Sequence, residues 1–188
     1  MEIKTQIMDA AQMSRSLTRI THEIIEKNRG LEDICLVGIK RRGIPLAWRL
    51  AETAYRFEGV QIPVGYVDVS LYRDDLSEIT DVPEAVGSQF PFDITGKTVI
   101  LVDDVIFTGR TARAGIEAVF AVGRPKRLQL AELVDRGHRE LPIKPDYVGK
   151  NVPTSHEEHI RVQVTEVDGV DGVFICKNSE SAEPSAEE

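Results

Sequence analysis

The sequence predicts an α/β fold, a mostly parallel twisted sheet flanked by helices, from three observations. Val99 to Val102 is an unbroken aliphatic run, the pattern of a central strand buried on both faces rather than the alternation of a half-exposed one. It stops at Asp103 and Asp104, and a small polar loop, Phe107-Thr-Gly-Arg-Thr111, leads into a stretch where Ala112, Ile116, Val119 and Phe120 recur at helical spacing. A second apolar run, Ile34 to Ile39, repeats the arrangement. It ends in Lys40-Arg41-Arg42-Gly43 and gives way to a helix entered at Pro45, a residue that loses no helical hydrogen bond in a first turn.

Open α/β sheets bind ligands in the crevice beyond the carboxyl ends of their strands, so both loops are candidate sites. Thr108, Gly109 and Thr111 bring hydroxyls and bare backbone N–H groups to a helix N-terminus, where unpaired donors and the helix dipole favour a phosphate. Asp103 and Asp104 suit a partner that donates hydrogen bonds. A phosphorylated sugar satisfies both, with its phosphate on the Thr/Gly loop and its vicinal hydroxyls on the acids. The competing reading, an ordinary strand-to-helix turn with an acid pair as in receiver-type domains, leaves Thr-Gly-Arg-Thr unexplained. Three adjacent cations, Lys40 to Arg42, likewise ask for a counter-anion or for solvent.

At 188 residues, 41% hydrophobic and 29% charged, the chain fits one soluble globular domain with a substantial core. The start carries no charged-then-apolar leader and no run is long enough to span a bilayer, so the cytoplasm is the expected compartment. Cys35 and Cys176 lie in apolar runs without paired or metal-like spacing, as reduced structural thiols do. A net charge of −8 argues against indiscriminate nucleic-acid binding, yet the charge is uneven. Residues 1–50 hold nine Lys/Arg against six Asp/Glu and residues 124–150 hold seven against four, so each is locally +3.

A first helix is expected from Asp9, a suitable cap, to Gly30, with a core stripe of Met13, Leu17, Ile20 and Ile24. Its other face carries Arg15, Thr18, Arg19, His22 and Arg29, a solvated face or a polyanion-binding stripe. Val64 to Tyr72 alternates as a half-buried strand, and about twenty acid-rich residues opening at Tyr72-Arg73 read as a mobile lid or a disordered connection. Further strands are expected at Leu128–Val134, around Tyr147-Val148, near Ile160–Glu166 and at Gly172–Cys176. Residues 1–176 form the single domain and 177–188 an acidic, disordered tail. His156-Glu-Glu-His159 lacks further ligands and reads as a surface turn rather than a metal site.

The stretch Val99-Ile-Leu-Val-Asp-Asp-Val-Ile-Phe-Thr-Gly-Arg-Thr111 closely resembles the phosphoribosyl-pyrophosphate (PRPP) signature of type I phosphoribosyltransferases. Leu17-Thr-Arg-Ile20, Leu36-Val-Gly-Ile-Lys40, Leu71-Tyr-Arg-Asp-Asp-Leu76, the segment Leu133 to Pro142 and Gly149-Lys-Asn-Val-Pro-Thr-Ser155 resemble one branch of them. That branch comprises bifunctional pyrimidine-operon regulators with uracil phosphoribosyltransferase activity. The resemblance implies the type I phosphoribosyltransferase fold with a small hood over the base, conversion of uracil and PRPP to UMP and pyrophosphate, and Mg²⁺ as cofactor. It also implies binding to the leader mRNA of pyrimidine genes under the influence of UMP or UTP, with attenuation and translational repression both open, and a homo-oligomer of dimer size or larger.

Carried onto this chain, the resemblance gives catalytic roles to Asp103, Asp104, Arg41 and Arg73, and the two aspartates retain Mg²⁺ mainly through substrate or water. PRPP or UMP is expected on Lys40, Arg41, Asp103, Asp104, Val105, Ile106, Phe107, Thr108, Gly109, Arg110 and Thr111, and the base near Arg136 and Ile160. Arg73 is otherwise an exposed linker arginine. RNA is assigned to Thr18, Arg19, His22, Arg42, Arg139, Lys144 and Lys150, and Arg42 has the alternative of the pyrophosphate. Two other functions remain open: a phosphoribosyltransferase for another base without RNA binding, and a non-catalytic sensor of PRPP or UMP.

Overall fold

The computed structural model describes residues 2–69 and 88–177. Arg73, most of the expected lid and the tail beyond Lys177 lie outside the described residues, and where the chain is described again Gln89 forms an antiparallel bridge with Tyr66. The elements run β1 (Glu2–Met8), α1 (Ala10–Asn28), β2 (Ile34–Ile39), α2 (Gly43–Glu58), β3 (Val64–Val67), β4 (Thr98–Ile106), α3 (Arg110–Val122), β5 (Arg127–Asp135), β6 (Tyr147–Asn151), β7 (Glu158–Gln163), α4 (Thr165–Asp168) and β8 (Gly172–Lys177).

Five strands form one parallel sheet in the order β3-β2-β4-β5-β6. The apolar runs that predicted central strands are its middle: all six residues of β2 are buried, and Val99, Ile100 and Leu101 are fully so. On one face Met13, Leu17, Ile20 and Ile24 of α1 and Leu46 and Leu50 of α2 pack over Leu36, Ile100, Val102 and Leu133. On the other, Ala114, Ala118 and Val119 of α3 cover Val37, Ile39, Leu101 and Leu130. Cys35 and Cys176 are both buried free thiols, and burial pushes the Cys35 thiol up to about 11.

Asp9 caps α1 as expected, its carboxylate accepting from the Gln12 N–H while the Gln12 side chain accepts from the Asp9 N–H. The helix stops one step before its expected glycine. Arg29 takes the left-handed conformation at φ 58°, and the Gly30 N–H returns to the Ile25 carbonyl, closing a Schellman turn.

The stripe expected on α3 is only partly right. Phe120 is 41% exposed and Ile116 half-buried, whereas Ala112, Ala114, Gly115, Ala118 and Val119 face the sheet. A Cβ on Gly115 would stand 2.8 Å from Leu101 and 2.9 Å from Ile39. Small residues thus let α3 lie close on the sheet, which a search for large apolar residues overlooks.

The hood is a separate antiparallel sheet ordered β1-β8-β7. Its first strand was not expected, and β7 ends at Gln163, so that Thr165 and Glu166 belong to the short α4 instead of to a strand. The hood is tied back to α2 by ion pairs. Arg49 meets Glu166 and Asp171 through four bonds of 2.6–2.8 Å, and Arg42 forks onto Asp168 at 2.8 and 3.0 Å. Among the described residues no helix is long and apolar enough to cross a membrane.

Candidate functional site

β4 carries its apolar side chains into the core and its acids to the crevice. Asp103 is 7% exposed and accepts from the Asp104 N–H at 2.9 Å, and the strand does not stop at the two acids as expected but stays paired with β5 as far as Ile106. Asp104 is half-buried, and burial raises its pKa above the ordinary carboxylate range despite the hydrogen bond to Asp103 and the nearby charge of Arg42. Its acid form is therefore easier to reach than that of a surface aspartate.

The phosphate loop follows. Gly109 adopts φ 95°, which a residue with a side chain resists, and turns the chain into the first turn of α3. The loop is braced from behind: the Phe107 carbonyl accepts from Arg139 at 2.8 Å, and the Thr108 carbonyl accepts from the N–H groups of Glu140 and Leu141 at 2.9 and 3.2 Å. A cavity of about 420 Å³ results, lined by Asp103 and by every residue from Val105 to Ala112, with Glu132 and Glu140 at its edge. The structure thus gathers Asp103, Val105, Ile106, Phe107, Thr108, Gly109, Arg110 and Thr111 at one place. The guanidinium of Arg110 is drawn aside to Glu140 at 2.9 Å.

The cationic loop after β2 stands next to the acids because β2 and β4 are paired, with Gly38 opposite Val102. A Cβ on Gly43 would lie 2.3 Å from the Val102 carbonyl, and one on Gly38 would lie 2.6 Å from the Gly43 carbonyl, so glycine is what lets this loop fold onto the end of β4. Lys40 is paired with Asp68 at 2.8 Å and Arg41 is exposed.

Arg136 is 4% exposed and joins the main sheet to the hood. It donates to the Thr154 hydroxyl at 3.0 Å and to the carbonyls of Ser155 and Glu158 at 3.2 and 2.6 Å, and its guanidinium lies 4.0 Å from the Phe107 ring. Burial draws its pKa down from the usual arginine value. Ile160 is a half-buried residue of β7. His138 lies 5.8 Å from the Phe107 ring on one side and 4.1 Å from His156 on the other, so His156 is part of an aromatic cluster; His159 is the second residue of β7.

The cations assigned to RNA divide. Arg19 and Lys150 line one shallow groove of about 380 Å³ together with Met8, Gln12, Arg15 and Ser16. Arg19 also pins α1 to β6 by donating to the carbonyls of Val148 and Gly149 at 3.0 and 2.6 Å, and it is paired with Glu23 at 2.6 Å. Thr18 and His22 sit one turn apart on the same helix, and Lys144 is exposed. Arg42 and Arg139 are committed elsewhere, the first to Asp168 and the second to Asp135 and the carbonyls of Phe107 and Ile143.

One residue escaped the sequence reading. Glu132 of β5 is opposite Asp103 in register, only 1% exposed, and its Oε2 has no hydrogen-bond partner among the described residues. Burial foremost, then the fields of Asp103 and Asp104, push its pKa well above the carboxylate range. A single acid inside the otherwise apolar Leu130-Ala-Glu-Leu-Val134 was the available signal. Among the described residues no group of three or more His, Cys, Asp or Glu is arranged to cage a metal. Two carboxylates beside a phosphate loop do fit Mg²⁺, which keeps several waters and takes most of its other ligands from substrate oxygens.

The phosphoribosyl transferase domain model matches residues 4–166. The Bifunctional protein PyrR of Clostridium perfringens is 58% identical over 178 residues, covering 95% of this chain and all of the relative. That of Thermus thermophilus is 57% identical over 173 residues, covering 92% and 96%. Among solved structures, the hypoxanthine phosphoribosyltransferase of Trypanosoma cruzi superposes with a TM-score of 0.71 at 17% identity, over 93% of this chain and 97% of that one. That of Staphylococcus aureus gives 0.71 at 18%, over 94% and 92%. At that identity these two speak for the fold alone, whereas the family model and the PyrR proteins span nearly the whole chain, which therefore belongs to the phosphoribosyl transferase family and, within it, to the PyrR proteins.

Proposed function

We propose that the protein makes UMP and pyrophosphate from uracil and PRPP and also binds the leader mRNA of pyrimidine biosynthetic genes in response to uridine nucleotides. The observation that carries the enzymatic half is the 420 Å³ cavity between a central strand that carries two acids near its carboxyl end and a Thr-Gly-Arg-Thr helix start, within a chain 57–58% identical to bifunctional PyrR proteins.

Breaking the bond from the anomeric carbon to pyrophosphate develops positive charge on the ribose and negative charge on the leaving group, so the protein's task is to hold, neutralise and keep dry. Thr108, Thr111 and the first N–H groups of α3 hold the 5′-phosphate. Asp103 and Asp104 accept hydrogen bonds from the ribose hydroxyls and fix the ring. Lys40 and Arg41 meet the leaving pyrophosphate, Lys40 exchanging its bond to Asp68 for the anion, and Arg73 is proposed to add a further positive charge. Asp103 and Asp104 would help retain Mg²⁺ when it binds with the substrate, and the ion would supply charge neutralisation. Arg136 orders the Thr154–Glu158 segment beside Ile160, where backbone groups can match the alternating donors and acceptors of uracil. The RNA face is proposed on Thr18, Arg19, His22 and Lys150, with Lys144 beyond it. Arg42 and Arg139 support the site from inside.

Steady-state UMP formation from uracil, PRPP and Mg²⁺, with hypoxanthine, guanine and orotate as rival bases, tests the enzymatic half; turnover selective for uracil is expected. Asp104→Asn is expected to lower turnover far more than RNA affinity, and Arg19→Ala to do the reverse. Equal losses of both activities in both variants would refute separate sites.

A further inference from the structure

Sequence-specific RNA binding by proteins commonly stacks splayed-out bases on aromatic rings. Of the residues assigned to RNA above, only His22 has a ring. The fold supplies a second one from a different helix. Phe57, near the end of α2, meets His22 of α1 with ring centroids 4.4 Å apart and planes inclined by 44°. Phe57 is 51% exposed and His22 is exposed as well, so the pair offers π surface to solvent.

Its neighbourhood separates this pair from an ordinary surface ring. Phe57 lies nine residues beyond Trp48, about two and a half turns, so it occupies the α2 flank nearest α1, away from exposed Trp48 and Tyr55. His22 follows Arg19 by three residues and Arg15 by seven, so one flank of α1 carries the ring and both guanidinium groups. The groove that Arg15 and Arg19 share with Lys150 has no acidic residue in its lining, and Arg19, paired with Glu23 at 2.6 Å on the same helix, would exchange that exposed pair for a phosphate. Rings and cations on one exposed helix face suit a single-stranded nucleic acid, with bases on the rings and phosphates on the cations.

We propose that Phe57 and His22 form a stacking platform for one unpaired RNA base, with Arg15, Arg19 and Lys150 taking the adjoining phosphates. This rests on the RNA-binding reading and adds the group that reads a base. The probe is a hairpin RNA recovered on the wild-type protein, with UMP present, from a pool of randomised loops, and then labelled with 2-aminopurine at each unpaired position in turn. Binding is expected to quench one loop position. Phe57→Leu should abolish that quench and weaken binding roughly tenfold, because stacking carries that order of affinity per base. The salt dependence should not change, since no cation is lost. Phe57→Tyr should restore both quench and affinity, and His22→Asn should reduce the same quench. Wild-type affinity and quench in Phe57→Leu would overturn the platform while leaving RNA binding in place. Failure to recover any RNA would overturn the RNA reading, and the platform with it. A change of sedimentation in Phe57→Leu that accounts for the lost affinity would make the ring a contact between copies of the chain, and would also overturn the platform.

Discussion

Gly43 sets how near the cationic loop comes to the acids, because a methyl group there would stand 2.3 Å from the Val102 carbonyl. Gly43→Ala must push the loop off β4, and crowding of this kind costs about 1–3 kcal/mol. A fall in Tm of several degrees is expected, with a rise in KM for PRPP that exceeds the change in KM for uracil. Equal changes in both constants would mean that the loop does not serve the pyrophosphate. Glu132 makes the opposite case, a residue whose removal should help stability. Its carboxyl is held well above its ordinary value of 4.5, mainly by burial, so the fold favours the neutral form. Stability from that group is complete below the unfolded value and declines as pH rises from there toward the folded one. Glu132→Leu also removes an oxygen that finds no partner among the described residues, a group that costs about 1–3 kcal/mol when buried. Its Tm is expected to exceed that of the wild type, by more at pH 8 than at pH 5. A gain that is the same at both pH values would mean that Glu132 is already paired or ionised in the folded protein.

Between elements, the hood depends on a few polar ties, and the one from β1 to β7 has a pH signature. The Lys4 ammonium lies 2.6 Å from Glu158, and its hydrogen bond, followed by that of the Ser155 N–H, holds the Glu158 carboxyl down at about 2. A depressed acid stabilises the fold above its unfolded value of 4.5 and loses that contribution as pH falls toward 2. Lys4→Met should therefore lower Tm at neutral pH, by an amount that shrinks as pH falls from 4.5 toward 2, so that the acid limb of a Tm-against-pH curve flattens; an unaltered acid limb would show that the pair does not hold the hood. Such ties are also where the sequence was least legible. Strands β2 and β4 announced themselves because burial on both faces demands unbroken aliphatic runs. β1 is a hood edge strand whose first five residues are exposed, so nothing in its composition demanded a strand. The phosphate loop was legible because its chemistry is local in the chain. Arg42 and Asp168 are 126 residues apart, and Glu132 meets Asp103 only through strand register, so neither relation could be read along the sequence.

For the whole molecule, the balance of charge decides how RNA can be bound. At −8 overall, most of the surface repels a polyanion, and binding has to come from the local cations on α1 and β6. Arg15, Arg19 and Lys150 line one groove, and Lys144 is exposed nearby in the chain, which makes about three or four phosphate contacts available. Each contact on a single strand contributes roughly −0.7 to the slope of log affinity against log salt, so a slope of roughly −2 to −3 is expected. That corresponds to about a thirtyfold loss of affinity between 50 and 200 mM salt. The same reasoning separates cations that face RNA from cations that hold the fold. Lys150→Ala removes one phosphate contact and should flatten the slope by roughly 0.7. Arg42→Ala removes a guanidinium already forked onto Asp168, so it should leave the slope alone and appear instead as looser docking of the hood. Titrations of RNA affinity at several salt concentrations distinguish the two. If Arg42→Ala flattened the slope as much as Lys150→Ala does, the RNA would have to reach the strand ends and compete with PRPP for the same charge, and the two activities would then exclude one another rather than occupy separate faces.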